Sequence, residues 1–256
     1  MYSPEKLKRP IAGWLSRLKS LGGRIDSKGK RLTFAPYDLS IYKRLLRNLS
    51  TDERYVICNL EDYSGQAKEN RVPILMRHDI DTLDCIRKME FLLEEDLRHG
   101  FRPGVYLRVD GEAYSLLEWK GLIEKYHRRG VPFGLHSVCY VHPNYLEIFQ
   151  KETQTFIHET EIVPKSFTLH GLGEYGIENR TKFIKQAKQI VKDNGYQITD
   201  CSVDFISYEY VIHDSHWDAT NQKRYTMKDF IHLPKFLKGK VYLILTHPCY
   251  WRTEII

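Results

Sequence analysis

The chain has 256 residues, enough for one sizeable core and within the usual length of a single α/β barrel, roughly 200–250 residues. Hydrophobic residues make up 42% and charged residues 28%, a balance that excludes an intrinsically disordered chain. The net charge of +6 comes with no nucleic-acid-binding motif, so it reads as a solvated surface and not as a nucleic-acid interface.

Much of that charge lies in the first fifty residues, as Lys6, Lys8, Arg9, Arg17, Lys19, Arg24, Lys28, Lys30 and Arg31. There Leu7, Ile11, Trp14, Leu15, Leu18 and Leu21 recur at helical spacing before Gly22-Gly23, with Pro10 and Gly13 interrupting the pattern. Such a basic amphipathic helix can lie on an anionic membrane surface, or it can pack its stripe on the main domain. Tyr42, Leu45, Leu46 and Leu49 predict a second helix, and the polar residues 61–71 predict a loop. Residues 1–70 are therefore expected to form an N-terminal helical extension, and residues 71–256 the main domain.

From Pro73 onward, short apolar runs alternate with helical patterns. Strands are predicted over 73–81, 104–109, 131–136, 166–170, 196–199, 210–213 and 241–246. Helices are predicted over 84–98, 116–129, from about 144, and over 180–194. Strands alternating with helices of ten or more residues predict parallel βαβ units, which a barrel or an open doubly wound sheet would both satisfy. The five cysteines are odd in number and include no CxxC pair, which fits scattered thiols better than a disulfide framework or a zinc knuckle. No apolar run approaches the ~20 residues that span a membrane, and the roughly 7–15-residue apolar core of a secretory signal is missing. A cytoplasmic protein is expected, peripheral to a membrane if the basic helix docks there.

The strand ends carry the chemistry. They read Arg77-His78-Asp79-Ile80-Asp81, then Leu135-His136-Ser137, Leu169-His170-Gly171, His213-Asp214-Ser215-His216-Trp217 and Thr246-His247-Pro248. Sites in parallel α/β folds lie at the carboxyl ends of strands. Asp79 and Asp81, two apart on a strand, face the same way, and two adjacent carboxylates repel unless a cation joins them. Either Asp81 or Thr82 could instead cap the following helix, but capping accounts for one acid and not for the pair. One Asp with two His is a common open metal site, and zinc there brings the pKa of a bound water towards ~7.

With these residues, the chain from about Pro73 to Trp251 resembles the polysaccharide deacetylase superfamily, carbohydrate esterase family 4, which includes chitooligosaccharide and peptidoglycan deacetylases. The resemblance implies an irregular seven-stranded (β/α) barrel, a divalent metal (zinc before others), and removal of an acetyl group from an N-acetylated sugar. By its Asp-x-Asp motif, Asp79 is the general base and Asp81 a metal ligand. By its His-(Ser/Thr)-x-x-His motif, His136 is a second ligand, but Tyr140 stands where the other histidine belongs. The third ligand is then His142, which motif order favours with His170 lining the pocket in place of the family's Arg-x-Pro motif, or His170, which ends the neighbouring strand, unless water completes the shell. Leu245-Thr246-His247 matches the last motif and makes His247 the general acid. The sequence Leu-Thr-His-Pro followed by Tyr250-Trp251 is similar to a branch linked to surface-polysaccharide synthesis. Asp214, Tyr140, Trp217 and Trp251 are expected to meet substrate, the aromatic residues by stacking on a sugar unless they belong to core or rim packing. Two other readings stand beside this one: a hydrolase of another C–N or ester bond, and a degenerate glycan binder without turnover, which the missing second histidine favours.

Overall fold

The structure is a computed structural model and describes residues 23–25, 31–33, 37–63, 71–109, 113–170, 177–199, 208–214, 224–225 and 240–252. The chain forms two compact units, Met1–Pro36 and Tyr37–Ile256. In the first, β1 (Gly23–Ile25) and β2 (Arg31–Thr33) pair antiparallel. The helix predicted over residues 7–21 lies outside the described residues.

The second unit begins with β3 (Tyr37–Asp38) and α1 (Leu39–Thr51). Asp38 caps α1 by accepting from Ser40 N at 2.7 Å, and the helix buries the expected stripe Tyr42, Leu45, Leu46 and Leu49. β4 (Tyr55–Cys58) follows and pairs with β5 (Val72–Ile80). Helix and strand thus belong to the second unit. The alternation then runs α2 (Leu83–Arg98), β6 (Gly104–Leu107), α3 (Leu116–Arg128), β7 (Phe133–Ser137), α4 (Tyr145–Thr160), β8 (Ser166–Leu169), α5 (Ile177–Asp193) and β9 (Ile198–Thr199). It closes with β10 (Tyr208–His213), β11 (Arg224–Tyr225), β12 (Val241–Thr246) and β13 (Trp251–Arg252). Gly100 and Gly130, at φ 80° and 84°, turn the chain out of α2 and α3 in the left-handed conformation that glycine adopts without strain.

Nine of these strands form one all-parallel sheet, eight in the order β11-β10-β12-β5-β6-β7-β8-β9 and the ninth, β4, paired to β5 off that path, curled into a half-barrel flanked by helices. β5 is the longest strand and has three neighbours. β12 runs along one edge, from Ile74 to His78, while β4 and β6 follow one another along the other. Its near-continuous apolar run reflects burial on both faces. β13 pairs separately and in parallel with β3, Trp251 beside Tyr37.

Strand alternation sorts the two faces. Outward side chains such as Ile80, Val105, Leu107, Phe133, Leu135 and Phe167 form a core with the helices. Ile74, Met76, Ile244 and Trp251 pack with Tyr42, Leu45 and Leu46 of α1. Inside the curl, Leu75, Tyr106 and Leu243 pack with Cys58 and Leu60. The Tyr106 ring lies over Gly134, its register partner on β7, where a Cβ would come within 2.6 Å of the ring. By the same alternation Asp79, Asp81, His136, His170 and His247 all fall on the inner face, at the carboxyl end of the sheet. Among the described residues no helix is long and apolar enough to cross a membrane.

Candidate metal centre

Asp81 follows the last residue of β5 and is the hub of the site. Its Oδ1 lies 3.1 Å from His136 Nε2, and its Oδ2 lies 3.3 Å from His170 Nε2 and 3.6 Å from His247 Nε2. Thr82, not Asp81, caps α2 by accepting from Cys85 N at 3.2 Å, which leaves the Asp81 carboxylate to the site. Arg108, just beyond β6, donates to the Asp81 carbonyl oxygen at 3.1 Å and fixes the backbone there. Asp79 lies one pleat below. Its Oδ2 accepts from Arg77 Nη2 at 3.0 Å and lies 3.7 Å from His136 Nε2.

One ligand atom each from Asp81, His136 and His170 lie within 4.8 Å of one another, a group able to hold a metal ion. The surroundings fit a cation. Asp79 Oδ1 and Asp81 Oδ1 are buried and make no hydrogen bond, a costly state for carboxylate oxygens that a positive charge relieves. His136 Nδ1 and Thr168 Oγ1 are 2.5 Å apart, across the register pair that joins β7 to β8. In the tautomer that a metal ligand requires, Nδ1–H donates to Thr168 and the Nε2 lone pair faces Asp81, an arrangement that a cation between them would bridge. Burial acts to raise the Asp81 pKa, but His170, His136 and His247 outweigh it and hold the carboxyl well below its ordinary range. Burial lowers the pKa of His170 in spite of Asp81, which favours the neutral, ligating imidazole.

The third member corrects the expectation from motif order. After β7 the chain makes one 3-10 turn, Cys139–Val141, and His142 ends that turn exposed, its carbonyl accepting from Asn179 Nδ2 at 3.0 Å. It takes no part in the group. His170 does, because β8 is the hydrogen-bonded neighbour of β7, and His170 N donates to Ser137 O at 2.9 Å. Tyr140, expected on the substrate side, is buried in the core, and its hydroxyl donates to the His170 carbonyl. It supports the group from behind and offers no stacking face.

His247 occupies the other side of Asp81. Its Nδ1 lies 2.7 Å from Asp214 Oδ1, and its backbone N donates to Asp214 Oδ2 at 2.6 Å. The same Oδ2 accepts from Trp251 Nε1 at 2.8 Å. Asp214 and Trp251, expected to meet substrate, are fully buried. Their place is behind His247, with Trp251 packed on Tyr37 and Tyr42 at centroid distances of 5.3 and 5.1 Å. Burial acts to lower the His247 pKa, but Asp214, Asp81 and Asp79 outweigh it and push the value up to about 10. Trp217 lies outside the described residues. The chain matches no protein-family model, no curated protein and no solved structure.

Sequence reasoning passed over Arg77 and Thr168. Arg77 stands two before Asp79, on the same face of one strand, and that spacing was available to find it. Thr168 stands two before His170, but its role needs the register of β8 against β7, which one sequence does not disclose.

Proposed function

We propose that the chain is a metal-dependent hydrolase that removes the acetyl group from an N-acetylated sugar of a polysaccharide or glycan precursor, on a (β/α) barrel of the polysaccharide deacetylase type. The observation that carries this reading is the convergence on Asp81 of His136, His170 and His247, at 3.1, 3.3 and 3.6 Å, with Asp79 beside them on strand β5. A divalent ion held by Asp81, His136 and His170, zinc before others, would supply Lewis-acid polarisation of a carbonyl and a water acidic near pH ~7.

The chain's own groups complete the reaction. Asp79 accepts the proton of the attacking water. Arg77 engages its Oδ2, which leaves Oδ1 to receive that proton. His247, held protonated by Asp214 and Asp81, donates a proton to the departing nitrogen. An amide needs that donor more than an ester does, because an unprotonated amine is a very poor leaving group, and this favours C–N over C–O cleavage. The sugar is the contribution of the motif resemblance. The reading as a degenerate binder rested on the absent second histidine of the His-x-x-x-His motif, and His170 supplies an imidazole in its stead.

The test is acetate release from N-acetylglucosamine oligomers by protein loaded with zinc, cobalt or manganese. Release should require metal, and Asp81→Ala should lose both metal and activity. Asp79→Asn should keep metal and lose ~10²-fold or more in rate, the scale of one positioned proton acceptor. Metal-loaded protein without release from any N-acetylated sugar would refute the substrate, and protein that takes up no metal would refute the centre.

A further inference from the structure

A second polar chain lies behind the metal centre, on the opposite face of β5 and β12. His78 and Thr246 are register partners on these two strands. Each stands one residue before a member of the site, Asp79 and His247, so strand alternation turns His78 and Thr246 outward, towards the helices. His78 Nδ1 is hydrogen-bonded to Thr246 Oγ1. On the other side of the ring, Nε2 donates to Asp96 Oδ2 of α2 at 2.7 Å. Asp96 Oδ1 accepts from the Tyr42 hydroxyl of α1. We infer that His78 is a positioning residue: through Thr246 it locks the end of β12 to β5 and so holds His247 against Asp81.

A hydroxyl, an imidazole and a carboxylate in this order could activate a nucleophile. Thr246, His78 and Asp96 are fully buried, however, so no substrate reaches them and a catalytic role is excluded. Their place in the ladder points to positioning. The pairing of β12 with β5 runs from Tyr242 beside Ile74 and ends at Thr246 beside His78. Beyond that rung β5 continues against β6, at Asp79 and Ile80, while β12 has stopped. His247 is therefore the first residue that the ladder no longer holds, and the side-chain bond secures the last rung before it. One pleat back, the outward pair is Ile244 and Met76, an apolar pair in the core. A buried polar chain is costlier than apolar packing unless every member is satisfied, so its use at this one rung calls for a reason beyond burial. Tyr42 joins the chain to the other support of His247, since its ring packs on Trp251 at 5.1 Å and Trp251 Nε1 donates to Asp214.

The effect on rate rests on the reading of His247 as proton donor; the effect on the place of His247 does not. Asp81, His136 and His170 stand at the ends of β5, β7 and β8, and none of them on β12. Loosening the end of β12 therefore separates the two halves of the site. The group able to hold a cation stays, and the approach of His247 Nε2 to Asp81 Oδ2, 3.6 Å, is lost. His78→Ala would strip the buried Asp96 carboxylate of its imidazole and put the fold itself at risk. Thr246→Val is the milder cut, because it keeps the branched shape that suits a strand, removes the hydroxyl and leaves His78 on Asp96. Thr246→Ser returns the hydroxyl.

The test compares wild type, Thr246→Val and Thr246→Ser as full-length protein. Amide hydrogen exchange followed by NMR reads the hold on His247 without turnover. The His247 N–H donates to Asp214 Oδ2 at 2.6 Å. It should exchange on the order of 10-fold faster in Thr246→Val, as the loss of one buried hydrogen bond implies, while the Leu135 and Phe167 amides of β7 and β8 keep their rates. Thr246→Ser should bring His247 back to the wild-type rate. Titration calorimetry should give one zinc affinity for all three proteins. Acetate release by zinc-loaded Thr246→Val should fall ~10–100-fold in kcat with KM little changed, the scale of a misplacement of ~1 Å, and recover in Thr246→Ser. A His247 amide as protected as in wild type, a general loss of protection across β7 and β8, zinc affinity that falls with the rate, or a defect that Thr246→Ser does not relieve would each overturn the inference. Wild type that releases no acetate would refute the proposed substrate, and the exchange rates would then decide the inference by themselves.

Discussion

Asp214→Asn keeps the outline of the side chain and removes its charge. The carboxylate is fully buried and faces three donors: His247 Nδ1 at 2.7 Å, His247 N at 2.6 Å and Trp251 Nε1 at 2.8 Å. An amide can satisfy these with one oxygen only, and its NH₂ is turned against a further N–H. Breaking a buried charged pair in this way costs about 3–5 kcal/mol. The pH dependence separates the charge from general damage. His247 titrates near 6.5 when unfolded and is pushed up to about 10 in the fold. At ~1.4 kcal/mol per pH unit, that rise is worth on the order of a few kcal/mol. Because the folded pKa is the higher one, the contribution is complete below pH about 6.5 and is lost as pH climbs towards about 10. Metal-free wild type should therefore shed stability across that window, and Asp214→Asn should start lower and fall less. Urea midpoints of both proteins at steps from pH ~6 to ~10.5 give the difference curve, in which groups common to both cancel. Parallel curves would refute the assignment of His247 to Asp214.

Two further outcomes test the centre and the strands beneath it. His170→Ala should weaken zinc binding by more than ~100-fold, since loss of an outer partner alone costs ~10–100-fold, while His142→Ala should leave titration calorimetry unchanged. The reverse order would restore motif order over geometry. Gly134→Ala should cost ~1–3 kcal/mol or more in urea unfolding, because its Cβ would meet both the Ser166 carbonyl and the Tyr106 ring at 2.6 Å. Gly104→Ala, which meets only the Tyr106 side chain at 2.9 Å, should cost less.

The alternation of strand and helix from Pro73 onward was legible because each element carries its own period and its own stop. Leu83–Arg98 and Leu116–Arg128 lie within a residue or so of their predicted bounds, each followed by a left-handed glycine. β4 was not legible. Tyr55–Cys58 is only four residues long, and its pairing with β5 lies across the segment that reads as a loop. The paired acids and His136 were visible as strand-end residues. The third member of the group was legible only as a choice, because His142 is nearer to His136 in sequence, whereas His170 is nearer in the sheet. Aromatic residues near the motifs were equally opaque. Tyr140 and Trp251 have the composition of a sugar platform, but their neighbours bury them, and only those neighbours reveal that they support His170 and Asp214.

The short pair of β13 with β3 has a consequence for the order of assembly. During synthesis Tyr37 and α1 leave the ribosome early, yet Trp251, which packs on Tyr37 and Tyr42, comes only after almost everything between has been made. The loop closed by that contact encloses the whole sheet, so its entropy is recovered only when the sheet is in place. Trp251 in turn holds Asp214, which holds His247. A nascent chain stalled before Trp251 would carry Asp81, His136 and His170, yet His247 would lack its buried support. The Asp81–His136–His170 group is thus made before the support of His247 is complete.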